Sequence, residues 1–175
     1  MKKMLSALLA LAMVFTLCTT AFAAEENPAA GDFCIDGVTV TVTYKEKDAQ
    51  PAASVETDTA SPITRATTTQ DLGTNGSINL DWTVSSESSV RSKYNYKTNS
   101  EKMFVRMTAG EQSTSVTLKC YNSNGTEVFA KTVDVWTWLQ AEFKITGLSY
   151  SNTYYFKLFN NDQHKESFTG TISAT

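Results

Sequence analysis

AEFKITGLSYSNTYYFKLFN, residues 141–160, holds two alternating apolar runs that meet at a turn rich in Gly, Ser and Asn. Phe143 and Ile145 share one face before the turn, and Tyr154, Phe156 and Leu158 share one face after it. A period of two marks strands buried on one side only. The stretch reads as a corner between two strands, with Phe143, Ile145, Leu148, Tyr154, Phe156 and Leu158 building a core and Tyr155 and Phe159 turned away from it. It predicts an all-β chain, an antiparallel β-sandwich of jelly-roll or immunoglobulin/fibronectin type.

The flanking sequence carries the same texture, short strands at regular spacing from Gly73 onward. Downstream, Phe168, Gly170 and Ile172 share a face between Glu166 and Ala174. Upstream, Ile78, Leu80, Trp82 and Val84 alternate with polar residues, as do Met103, Val105 and Met107, with Phe104 on the opposite face; Tyr94 and Tyr96 suggest a further short strand. Between Val116 and Val133, Asn124-Gly125 signals a two-residue hairpin. That turn would set Cys120 against Phe129 and Tyr121 against Val128. It would also set Lys131 against Leu118 on the inward face, which calls for a bulge or for a lysine snorkelling from an edge.

Farther upstream, Val38, Val40, Val42 and Tyr44 alternate with threonines, a clear strand. It is followed by Lys45 to Gln70, which holds two of the three prolines, many Thr, Ser and Ala, and few apolar anchors. That is linker composition. The expected organisation is a leader at 1–23, an N-terminal strand and linker at 24–71, and the sandwich at 72–175. Arg65 in the linker is a plausible trimming site, so processing before Ala66 stays open.

The leader has a basic start at Lys2 and Lys3, an apolar run from Leu5 to Leu17, and Ala21-Phe22-Ala23 as a small-x-small cleavage site. This predicts a secretory signal, with the mature chain starting at Ala24 and released to the outside of a bacterial cell. The run is about 13 residues, against roughly 20 to span a bilayer. Cys18 lies within it, but Phe15-Thr16-Leu17 lacks the small residues of a lipid-attachment box. Of the 15 basic residues two leave with the leader, so 13 face 18 acidic ones. An acidic chain without a basic run argues against nucleic acid or an anionic membrane as partner. Export makes a Cys34–Cys120 bridge available, closing a loop of about 85 residues and stabilising by several kcal/mol in the chain-entropy model. The alternative is two independent thiols, one of them a small core residue.

Catalytic signatures are sparse. His164 is the single histidine, with Asp162 and Glu166 near it in a polar turn, and neither a G-x-S-x-G elbow nor H-E-x-x-H occurs. No cofactor is implied. Asn160, Asn161 and Asp162, or Asp32 and Asp36, could offer oxygens to calcium, but turn chemistry explains both clusters. Asn75-Gly76-Ser77 and Asn124-Gly125-Thr126 read as turns before they read as glycosylation sites. Aromatics are the better pointer. Trp136 and Trp138 are two apart, and in an extended segment they project to one side about 7 Å from each other, a spacing suited to stacking on sugar rings. Tyr155 and Phe159 form a second candidate pair.

VTLKCYNSNGTEV at 116–128 with NTYYFKLFN at 152–160 resembles the bacterial pre-peptidase C-terminal domain, in which a strand, an Asn/Asp-Gly turn and a late Tyr-rich strand recur. Leu148 with Tyr154, and SINLDWT at 77–83, resemble the tyrosine corner and Trp-bearing strand of fibronectin type III domains. Both resemblances imply a non-catalytic extracellular sandwich, the first similar in fold to carbohydrate-binding modules. The functional expectation is a recognition module for glycan or cell-surface polymer using Trp136, Trp138, Tyr155 and Phe159. The rival expectations are an adhesin-like partner binding through an edge strand, and a small secreted hydrolase.

Overall fold

The computed structural model describes residues 33–47, 56–60 and 68–174. The expected leader, with Cys18 and the cleavage site, lies outside them, as do Ala24, Asp32 and Arg65. The chain runs through β1 (Phe33–Cys34), β2 (Thr39–Glu46), β3 (Thr57–Thr59), β4 (Thr69–Asp71), one helical turn α1 (Leu72–Asn75) and β5 (Ser77–Val84). It continues through β6 (Ser89–Arg91), β7 (Asn95–Lys97), β8 (Lys102–Ala109), β9 (Thr114–Asn122), β10 (Glu127–Val135), β11 (Leu139–Thr146), β12 (Tyr154–Asn160) and β13 (Glu166–Ser173).

Two sheets face each other. One has the order β1-β10-β9-β12-β7-β4 with β6 also on β12; the other has the order β2-β11-β8-β13-β5-β3. Since β6 and β7 both run along β12, they act as one broken strand. Pairing is then nested: β5 joins the sheet of β13, β6 and β7 that of β12, β8 that of β11, and β9 pairs β10. The chain is thus one long hairpin wound over itself, the jelly-roll connectivity. Of the two sandwich types expected, this is the one the strand order selects. Each sheet is mixed, because β3 pairs β5 and β4 pairs β7 in parallel.

The core follows from period two. Ile78, Leu80, Trp82, Val84, Met103, Val105, Met107, Val116, Leu118, Cys120, Phe143, Ile145, Tyr154, Phe156, Leu158, Phe168 and Ile172 are all buried between the sheets. The six residues expected from the 141–160 stretch are among the buried ones. β11 lies in one sheet and β12 in the other, so the Gly147–Thr153 connection is indeed where the chain changes layer. Gly147 has φ 81°, and a Cβ there would stand 1.8 Å from the Gly37 carbonyl oxygen. Only glycine fits both constraints. Beyond it the Ser149 N–H donates to the Tyr154 hydroxyl oxygen at 2.8 Å, and that hydroxyl donates back to the Ser149 carbonyl at 3.2 Å. The side chain that fills the core thereby also fixes the corner.

The described N-terminal strands β1 and β2 are paired into the two sheets. β2 pairs β11 along its length, from Thr39↔Thr146 to Glu46↔Leu139, and β1 pairs β10 through Phe33↔Ala130 and Cys34↔Phe129. Within the expected linker, β3 is held by Asp58, which is fully buried. Its Oδ1 accepts from Trp82 Nε1 and the Lys93 N–H, both at 3.0 Å; its Oδ2 accepts from the Tyr94 N–H at 3.3 Å and from the Tyr96 hydroxyl. β3, Thr57–Thr59, which carries no large apolar residue, is therefore anchored by a carboxylate that satisfies four donors.

The β9–β10 hairpin differs from expectation in a compensated way. The Asn122 N–H donates to the Thr126 carbonyl at 3.0 Å, which leaves three residues, Ser123 to Gly125, in the loop instead of two. Gly125 sits at φ 84°, the left-handed residue such a loop needs. Tyr121 consequently opposes Glu127, not Val128. A shift between Glu127 and Phe129 then absorbs the extra residue, so Phe129 opposes Cys120 and Lys131 opposes Leu118, as the sequence predicts. Lys131 is half-buried where β10 runs past the two-residue β1 and becomes the sheet edge, which lets its stem lie on apolar surface.

Cys34 and Cys120 are both free thiols, Cys34 exposed and Cys120 buried. They share a lateral row, but Phe129 on β10 stands between them. Two strand spacings amount to about 10 Å, beyond the Cα separation of roughly 7 Å that a disulfide tolerates. The bridge expected as an option is absent.

Candidate functional site

Alternation places the odd-numbered residues of β12 on the outer face of the seven-stranded sheet. Tyr155, Lys157 and Phe159 point away from the core and are each half-buried. Their lateral neighbours on β9 are Tyr121, Lys119 and Thr117, and Lys157 and Phe159 face Arg91 and Ser89 on β6. The face is therefore built in rows. Tyr155, Tyr121 and Glu127 form one; Arg91, Lys157, Lys119, Ala130 and Phe33 form the next; Ser89, Phe159, Thr117 and Thr132 form a third.

The middle row sets three cations side by side on adjacent strands, about 4.8 Å apart at the backbone. Like charges directly opposite destabilise a sheet. Aromatic faces offset part of that cost. The Arg91 guanidinium lies 3.7 Å from the centre of the Tyr155 ring, Lys157 Nζ lies 4.9 Å from Tyr121, and Lys119 Nζ lies 5.2 Å from Phe159. Cations over aromatic rings at such distances are attracted by the negative ring face. Tyr121 and Tyr155 stack with centroids 5.1 Å apart and planes 12° off parallel. Glu127 Oε2 takes a hydrogen bond from the Tyr121 hydroxyl at 2.9 Å and pairs with Lys119 Nζ at 3.3 Å. The packing is tight enough that Tyr121 and Lys119 keep only 4% and 5% of their surface exposed, although both point outward. Beside Phe159, the Thr117 and Thr132 hydroxyls bond at 2.9 Å, and Asn161 Nδ2 donates to Thr117 Oγ1 at 3.1 Å, a polar margin.

The other sheet's outer face has a different charge arrangement. Glu142 is buried between Arg106 Nε at 2.6 Å and Lys45 Nζ at 2.9 Å. Burial would push its carboxyl up, but the two cations outweigh that and hold it below the usual carboxylate value. An acid lies between the cations there. In the middle row of the seven-stranded sheet no acid does.

The four aromatics singled out from sequence fall into two groups. Tyr155 and Phe159 belong to the face just described. Trp136 and Trp138 lie in the connection from β10 to β11, with ring centroids 5.7 Å apart and planes at 58°. Trp138 is 62% exposed, whereas Trp136 is half-buried. Trp136 is four positions along the chain from Thr132, about 13 Å of extended backbone. The two pairs do not form one platform, and the tilted indoles do not present a shared flat surface. Arg91, Lys119, Lys157 and Tyr121 were missed from sequence. The signal was there in β9 and β12, whose polar positions read Lys-Tyr and Tyr-Lys-Phe, but only strand order aligns them and adds Arg91.

His164 is more constrained than a solvated loop residue. Its Nε2 lies 3.0 Å from Thr114 Oγ1 and 3.7 Å from Glu166 Oε2, and its carbonyl accepts from Asn160 Nδ2 at 2.6 Å. A hydrolytic relay needs the acid on the ring nitrogen opposite the nucleophile. Here hydroxyl and carboxylate meet the same nitrogen. Glu166 is buried and engaged elsewhere, accepting from the N–H groups of Gly110, Glu111, Gln112 and Ser167 between 2.8 and 3.0 Å. Burial alone would raise its carboxyl; the four donors outweigh burial and hold it below the usual value. The cluster clamps the loop after β8.

The candidate calcium positions serve the backbone. Asp162 Oδ2 accepts from the Ser115 N–H at 2.8 Å and Asn160 Oδ1 from the Asp162 N–H at 3.0 Å, the turn chemistry expected of Asn and Asp. Asp36 is exposed beside Cys34. Among the described residues, no three His, Cys, Asp or Glu side chains gather in a metal-binding group. No helix of the described chain is long and apolar enough to cross a membrane. Comparison with family models, curated proteins and solved structures finds no match for this chain.

Proposed function

We propose that this protein is a secreted, non-catalytic recognition module that binds a glycan or cell-surface polymer on the outer face of the seven-stranded sheet. One observation carries the reading: Tyr155 and Phe159 flank a lateral row of polar groups on a rigid sheet, with Tyr155 backed by the stacked Tyr121 ring. The Tyr155 ring stands between Arg91 and Tyr121 and turns its outer edge, with the half-buried Phe159, toward the apolar C–H groups of sugars, and the half-buried Thr132 and Asn161 suit their hydroxyls. Trp138 at the end of the sandwich is a secondary contact for a long polymer. The test is a glycan array on the intact exported protein, followed by affinity electrophoresis of Tyr155→Ala and Phe159→Ala variants. Loss of retardation in both, with unchanged melting, supports the face. Retention that survives both substitutions removes it.

A second reading has its own observation. β2 is an eight-residue strand at the edge of its sheet, its Tyr44 is exposed, and Phe33 and Ile35, which precede it in the chain, are exposed too. Such an edge can add a strand from another protein chain, the adhesin-like role. Oligomers that grow with concentration in light scattering and vanish in a Val42→Pro variant favour it.

A further inference from the structure

We infer that the ligand of this face is an acidic polysaccharide, one whose sugar rings carry carboxylates, and that Lys157, with Arg91 beside it and the buried Lys119 adding to the local positive field, reads those carboxylates. The inference rests on the glycan reading above and deepens it by naming the charge of the substrate. Lys157 is the centre of the argument. In register it has Arg91 on one side and Lys119 on the other, and among the described residues it forms no ion pair. Lys119 has Glu127, but no acid stands within the row itself. A half-buried ammonium between two cations is a place where a bound anion relieves repulsion that the free protein carries.

The patch is also out of character for the chain, whose formal net charge is −3. A concentrated positive row on an acidic protein marks a complementary partner, not a generally basic surface. Uronate rings fit better than a polyol phosphate or polyphosphate chain, because Tyr155 and Phe159 lie on either side of the cation row and only a ring-bearing polymer offers both a negative group and an apolar face. A sheet face presents the cations across the strands, so the polymer crosses β6, β12 and β9 nearly perpendicular to them.

The experiment is calorimetry or affinity electrophoresis of the intact exported protein with sodium polygalacturonate. Hydroxyethylcellulose and inorganic polyphosphate run in parallel, at low and high NaCl. The expected result is binding to polygalacturonate that weakens with salt and exceeds binding to either other polymer. Lys157→Gln lowers that affinity about tenfold, as loss of a charge-assisted contact does. Arg91→Lys, which keeps charge but loses the planar stack on Tyr155, also lowers it. Lys144→Gln, an exposed lysine on the opposite sheet, leaves affinity unchanged. Equal losses in Lys144→Gln and Lys157→Gln reduce the effect to net charge and overturn the inference, as does polyphosphate binding as tightly as polygalacturonate. Neutral-glycan binding sensitive to Tyr155→Ala, without polygalacturonate binding, overturns this inference and leaves the glycan reading standing. Binding to none of the glycans overturns both.

Discussion

Asp58 is the side chain on which the attachment of β3 depends, and its replacement gives a graded result. Asp58→Ala removes a fully buried carboxylate and leaves Trp82 Nε1, the Tyr96 hydroxyl and the N–H groups of Lys93 and Tyr94 without their acceptor. Charge-assisted hydrogen bonds contribute about 1.5–3 kcal/mol each. Summing four overstates the loss, because the carboxylate no longer has to be desolvated. Its partners are neutral donors, and each buried donor left unsatisfied costs about 1–3 kcal/mol, so a net loss of roughly 3–5 kcal/mol is the expected size for alanine. Asp58→Asn keeps an oxygen for Trp82 and Lys93 but turns an amide N–H₂ toward Tyr94 and Tyr96. The tyrosine hydroxyl can rotate to accept, whereas the Tyr94 N–H cannot, so about 1–3 kcal/mol is lost. Urea unfolding followed by tryptophan fluorescence measures both. Hydrogen exchange at Asn79, whose N–H bonds to the Glu56 carbonyl at 3.2 Å, tells local release of β3 from global destabilisation. Costs below about 1 kcal/mol for both variants, or asparagine as damaging as alanine, would refute the anchoring role.

Other consequences follow from the same geometry. Glu142 and Glu166 have folded pKa values below their unfolded ones, so their contribution is present above the ordinary carboxyl value, about 4.3, and is lost as pH falls through the folded values. Acid titration of melting temperature should show that loss below about pH 4, with a shallower slope in Glu166→Gln. Thiol labelling should modify Cys34 in the folded protein and Cys120 only in denaturant, since burial both hides the Cys120 thiol and pushes its pKa up. Two protected thiols that appear only after reduction would contradict the fold. Tyr154→Phe keeps the ring in the core but loses both bonds to Ser149, lowering stability by about 1–2 kcal/mol in urea unfolding.

Much of the fold is legible in the sequence because alternation is a local signal. Burial on one side of a strand is written into every second residue, so the core faces of β5, β8, β9, β11, β12 and β13 can be read without coordinates. Register across the β9–β10 hairpin is legible only in part. A loop longer by one residue and a bulge offset each other, and neither changes the apolar pattern. Composition does not announce the short strand β3 for a physical reason: it is held by a polar anchor whose donors lie 24 to 38 residues away, and hydropathy has no term for that.

The candidate site shows the same division. By itself the sequence determined the class of fold, the core faces, and the outward direction of Tyr155 and Phe159, since all three depend on the identity of neighbours one or two residues away. Tertiary structure alone decided the jelly-roll order, the separation of Cys34 from Cys120 by the strand bearing Phe129, and the division of the four aromatics into two places. It also decided the row of Arg91, Lys157 and Lys119, residues far apart in the chain that become neighbours only when β6, β12 and β9 pair. Strand pairing is set by long-range packing, and so is any property that reads across strands rather than along one.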